Sequence, residues 1–166
     1  MKKKIITFLC ICCILMIGFF VRNSFIDDEK KVNSSGAIVK EGVIPGYTAE
    51  QIQEMMQRKA DKSTFSFELN ARPVFSDGNS EGNLRIANPP YSAYAIQVEI
   101  SLDSNQKTIF KTIKLQPNQY IEKAKLFEQL ESGEHAATAT INAYDLETDE
   151  LVGTSSAKLI ITIDNQ

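Results

Sequence analysis

The side chains that could perform chemistry are few. His135 is the single histidine of the 166-residue chain, and the three cysteines are Cys10, Cys12 and Cys13. A Ser-His-acid or Cys-His site needs a nucleophile, a base and an orienting group in one pocket. With one histidine and no cysteine beyond residue 13, only a serine nucleophile remains, and no Gly-x-Ser-x-Gly turn is present to present it. A structural role for His135 is the stronger reading. The sequence therefore nominates no catalytic residue, and the chain is expected not to be an enzyme.

Asp145, Glu147, Asp149 and Glu150 crowd into six residues. A calcium loop needs several oxygens converging on the ion, usually with a Gly for the sharp turn and a distal bidentate Glu. Both are missing, so a solvated hairpin turn is expected and no metal or cofactor is assigned. Tyr91 and Tyr94 flank Pro89-Pro90, and Tyr47 precedes a short helical segment. Exposed tyrosines can anchor protein or sugar contacts, because the ring is apolar and the hydroxyl is not. Met55 and Met56 sit on the helical segment, where an adaptable methionine surface can face a partner. Packing against the protein's own domain is the commoner fate of such residues. Tyr91, Tyr94, Tyr47, Met55 and Met56 are the candidate partner-binding residues.

These groups are carried by a chain organised around its N-terminus. The run from Ile5 to Val21 holds seventeen residues without a charge, directly behind Lys2, Lys3 and Lys4. Spanning a bilayer takes roughly 17–25 apolar residues, and Lys4 and Arg22 can snorkel to lengthen the span. The lysines are expected to stay in the cytoplasm, which leaves the C-terminal domain outside the cell. A cleaved signal peptide is the alternative, but Gly18-Phe19-Phe20-Val21-Arg22 is a poor cleavage site. The expectation is an uncleaved, single-pass anchor over residues 1–22. All three cysteines lie inside it, so no disulfide framework is available to the outer part.

Residues 22–166 contain all 21 acidic side chains but only fifteen of the 18 basic ones, a balance of about −6. Phosphate backbones are bound by concentrated basic surface, so nucleic acid is not an expected partner. Residues 23–41 are polar and mixed in charge, and read as a flexible stalk. Residues 42–62 contain a Pro45-Gly46 turn, then Thr48 and Gln51 spaced as a capping box. Ile52, Met55, Met56 and Lys59 follow at helical spacing, predicting a short amphipathic helix over 49–60.

From Phe65 the period falls to two. Segments 65–71, 83–87, 95–102, 107–115, 120–126, 135–144 and 151–163 alternate apolar and polar residues between turn signals. Phe110 falls out of step with Ile109, Ile113 and Leu115. Ala137, Ala139, Ile141 and Ala143 form an inner face that calls for close sheet approach or for large opposing residues such as Phe65 and Phe67. About seven short strands over 63–166 predict a mainly β domain, an antiparallel β-sandwich.

Leu130-Glu131-Ser132-Gly133-Glu134-His135 resembles the Leu-x-x-Gly-x-Tyr start of strand F in immunoglobulin-like domains. That resemblance implies a side-chain bond back to the preceding loop, with His135 a departure from Tyr at the group that would make it. A second resemblance covers residues 42–163. It rests on Gly42-Val43-Ile44-Pro45-Gly46, Pro73-Val74-Phe75-Ser76-Asp77-Gly78, Ser80-Glu81-Gly82-Asn83-Leu84-Arg85-Ile86, Gln116-Pro117-Asn118-Gln119 and Ala143-Tyr144-Asp145. In these the chain resembles an uncharacterised group of small membrane-anchored proteins of Gram-positive bacteria, which implies an envelope location and brings no functional residues. The expected function is a non-enzymatic extracytoplasmic module that contacts another cell-envelope protein. The alternative is a carbohydrate or cell-wall binding module using the same tyrosines.

Overall fold

The computed structural model describes residues 37–57 and 65–164. The expected anchor from Ile5 to Val21, most of the expected stalk and the expected last turn of the helix lie outside these residues. Among the described residues no helix is long and apolar enough to cross a membrane.

The fold is mainly β, with two sheets and one short helix, as the alternation predicts. In chain order the elements are β1 (Lys40–Glu41), α1 (Ala49–Gln57), β2 (Val74–Phe75), β3 (Ile86–Ala87), β4 (Tyr94–Leu102), β5 (Thr108–Lys111), β6 (Gln119–Ile121), β7 (Gly133–Asp145) and β8 (Leu151–Ile163). One sheet has the order β2-β8-β7-β4-β5 and the other β1-β6-β3. Val39, Ile86 and Ile121 from the smaller sheet and its flank share one core with Ile96, Val98, Ile100, Ile141 and Ile161 from the larger.

The centre of the larger sheet follows from residue size. β4 places Ile96, Val98, Ile100 and Leu102 opposite Ala143, Ile141, Ala139 and Ala137 of β7. β8 places Leu159 and Ile161 opposite Ala137 and His135. Along β4 the alanine row thus lies beside a bulkier one, while on the β8 side Ala139, Ile141 and Ala143 face Ala157, Ser155 and Gly153, and large-beside-small packing fills the β4–β7 layer. Phe65 and Phe67 pack, half-buried, against this core.

Four features differ from the sequence reading. Residues 65–71 do not form a continuous strand. Glu68 and Ala87 exchange backbone bonds of 3.0 and 2.9 Å, after which Ala71 and Pro73 accept from Ile160 and Thr162 of β8 at 3.0 Å each. The segment crosses from one sheet to the other, and Pro73, lacking an N–H, sits at the crossing. Second, β2 then pairs with β8 in parallel, so the pairing is not wholly antiparallel. Third, Phe110 is as fully buried as Ile109. The β4–β5 register shifts between Ile100 and Ser101, and a β-bulge lets two consecutive residues face one core. Fourth, residues 37–41, read as the end of a stalk, belong to the fold. Ala37 and Val39 are buried, and β1 pairs antiparallel with β6.

Candidate functional site

The chain enters the site through Gly42 to Thr48. Tyr47 N–H donates to the Ile44 carbonyl at 3.1 Å, closing a turn around Pro45 and Gly46. The helix then starts on the expected capping box. Thr48 N–H donates to Gln51 Oε1 at 2.8 Å and Gln51 N–H to Thr48 Oγ1 at 3.3 Å. Each bond satisfies a donor that the first helical turn leaves without an intrahelical partner. The cap fixes which face of α1 turns inward, and that face buries Ile52 and Met55.

Ile44, Ile52, Met55 and Ala87 form a second, smaller apolar cluster, edged by Tyr47, Tyr91 and Tyr120. Three of the five candidate residues, Tyr47, Tyr91 and Met55, are thus brought together, and their work is packing. Met56 lies outside the cluster and is 60% exposed. Tyr94 also lies outside it, half-buried at the start of β4 opposite Asp145. The Pro-Pro loop between Tyr91 and β3 is held by buried Asn88, whose Nδ2 donates to the carbonyls of Tyr94 and Leu115 at 2.8 and 2.9 Å.

Beside this cluster opens a cleft of about 290 Å³ between residues 68–71, 85–87 and 120–122, with Ile44 and Pro45 at one wall. Its floor is apolar, from buried Ile86, Ala87 and Ile121. Its rim carries Glu68, Asn70, Arg85, Tyr120 and Glu122. Tyr47 Oη donates to Glu68 Oε1 at 2.7 Å, and Arg85 Nη2 donates to the Pro45 carbonyl at 3.1 Å. Arg85 adopts φ 47°, a left-handed conformation uncommon for a side chain of its size. The cost is offset locally, since its N–H donates to the Glu122 carbonyl at 3.1 Å. Glu122 also pairs with Lys40 Nζ of β1 at 2.7 Å. That ammonium holds the Glu122 carboxyl below the ordinary carboxylate range, and Glu122 in turn raises Lys40.

Among the described residues the cleft lining contains no Ser, Thr, Cys or His. What it offers is shape, a guanidinium and carboxylates, which suit recognition. Local sequence gave no sign of it, because Glu68, Arg85 and Tyr120 come from three separate segments and none stands out from its neighbours.

The other singled-out groups are engaged structurally. His135 Nε2 donates to the Glu131 carbonyl at 2.8 Å, making the backward bond at the start of β7 with an imidazole. The carbonyl can only accept, so Nε2 carries the proton. Asp145 Oδ1 accepts from the N–H groups of Glu147 and Thr148 at 2.9 and 3.1 Å, and so organises the β7–β8 turn. Asp149 pairs with Lys114, whose ammonium lies 3.8 Å from the Tyr144 ring centroid. Among the described residues no three His, Cys, Asp or Glu side chains converge as a metal site would require.

No protein-family model matches the chain, and no curated protein matches it in sequence.

Proposed function

We propose that this chain is a non-enzymatic module, anchored in the membrane by the run from Ile5 to Val21, whose immunoglobulin-like sandwich contacts another envelope protein from outside the cell. The strand order supports the fold reading. β8-β7-β4-β5 follows the G-F-C-C′ order of variable-type immunoglobulin sheets. Residues around Glu68, then β3, β6 and β1, occupy the A-B-E-D positions of the opposing sheet. The D position is filled by the chain's own N-terminal segment, and the His135 bond stands where the tyrosine corner does.

The cleft rimmed by Arg85, Glu68 and Glu122 is the observation that carries the binding reading. It replaces Tyr91 and Met55 as the contact surface, because those side chains are committed to the satellite cluster. An apolar floor under a charged rim fits one inserted partner side chain, with the rim setting its orientation. The test is a photo-crosslinking residue at Arg85 in intact cells, with one at exposed Lys125 as control. A single dominant envelope protein captured only from position 85 is expected. Identical captures from both positions would remove the cleft from the reading.

Tyr120 gives the carbohydrate reading one specific support, since it stands in the cleft beside the planar polar groups of Asn70, Glu68 and Arg85. Retention of the full chain on purified peptidoglycan, abolished by Tyr120→Ala, would favour that reading over a protein partner.

A further inference from the structure

Among the described residues, β8 is paired along its outer side near its C-terminal end. Ile160, Thr162 and Asp164 donate outward to Ala71, Pro73 and Phe75. The strand keeps one register with β7 from Gly153 to Ile163. Alternate residues of a strand direct their N–H and C=O groups to the same side. The backbone groups of Thr154, Ser156 and Lys158 therefore also point outward, and among the described residues none has a backbone partner there. Exposed edges are usually blunted by charge, proline or a covering segment. Residues 151–157 read Leu-Val-Gly-Thr-Ser-Ser-Ala, with neither charge nor proline, and the one irregularity, the register shift at Val152, lies at one end of them. Leu151 and Val152 are 57% and 50% exposed.

We propose that this edge pairs antiparallel with the same edge of a second copy, about a twofold axis at Thr154. Charge selects a second copy as the occupant. Counted outward from Thr154 past Val152, the extra residue where the β7–β8 register shifts, Lys158 of each copy comes level with the acidic turn of the other, where Glu150 stands beside the Asp149 that pairs with Lys114, twice over by symmetry. Shifting the axis to Ser156 would place Lys158 opposite Thr154 and lose both pairs. The Lys158 ammonium already donates to Asp103 Oδ2 and Thr138 Oγ1, each at 2.9 Å. Its third N–H remains for the incoming carboxylate.

The test uses the full chain in mild detergent, with Cys10, Cys12 and Cys13 changed to Ser. A hydrogen-bonded antiparallel pair holds its Cα atoms about 5.5 Å apart, which is within disulfide range. Thr154→Cys is expected to give a disulfide-linked dimer on mild oxidation, and Thr108→Cys on the opposite edge strand is not. Thr154→Lys, which sets two ammonium groups face to face at an exposed position, is expected to turn a sedimenting dimer into a monomer while leaving the circular dichroism spectrum unchanged. The proposal is overturned by a monomeric wild-type chain, by equal crosslinking from positions 154 and 108, or by a dimer that survives Thr154→Lys.

Discussion

A Cβ built on Gly82 would lie 2.4 Å from the Phe75 ring, far inside van der Waals contact. The ring cannot withdraw easily, since Phe75 is 1% exposed and belongs to the main core. Gly82 also exchanges backbone bonds with Ala124 at 2.9 and 3.1 Å, so its own backbone is held. Gly82→Ala is therefore an overpacking change, expected to cost about 1–3 kcal/mol. The urea midpoint checks it, and an unchanged midpoint would mean that the Phe75 ring has room to move. His135 makes a different point at the same scale. Its imidazole reaches the Glu131 carbonyl four residues back and ties the start of β7 to the segment before it. The sequence singled out the position, but only the geometry shows which atom the ring reaches.

At the scale of elements, β1 is the informative case. Ala37 and Val39 turn inward while Ile38 and Lys40 turn out, a two-residue period compressed into four residues. Val39→Ala removes two buried carbons from the main core and is expected to cost about 2 kcal/mol. A stalk residue would cost nothing, so thermal or urea unfolding of the full chain decides between the two. The period was too short to stand out behind the polar residues before it, which is why 23–41 read as one segment. By contrast β4, β7 and β8 were legible, because alternation over most of their nine to thirteen residues leaves little ambiguity. The capping box of α1 was legible for a similar reason, since Thr48 and Gln51 make their bonds locally. Pairings between distant residues were not. The parallel β2–β8 edge, the bulge that buries both Ile109 and Phe110, and the cleft around Arg85 all depend on which segments meet. Alternation along one strand cannot specify its neighbours.

At the scale of the whole molecule, interstrand carboxylates contribute to the response to pH. Thr108 Oγ1 and Lys111 Nζ hold Glu99 below the ordinary carboxylate range, clamping β4 to β5 at 2.7 and 2.9 Å. Thr138 Oγ1 and Lys158 Nζ do the same for Asp103, tying the end of β4 to β7 and β8 at 2.6 and 2.9 Å. Lys40 lowers Glu122 and so ties β6 to β1. A carboxyl lowered on folding binds fewer protons in the native than in the unfolded state. Its stabilisation is complete above the unfolded value of about 4, and is lost as pH falls through the lower folded value. Lys40 works in the opposite window, because its folded value is raised. Its contribution is complete below about pH 10 and lost as pH climbs past the folded value. The urea midpoint is thus expected to be flat near neutrality, to fall below about pH 4 and to fall again in strong base. Each pair is solvent-screened and individually weak, so the acid limb is shared among them. Glu99→Gln combined with Asp103→Asn should lower the neutral plateau and flatten the acid limb together. A double variant that keeps the full acid limb would assign the titration to other carboxylates and leave these clamps without their proposed share.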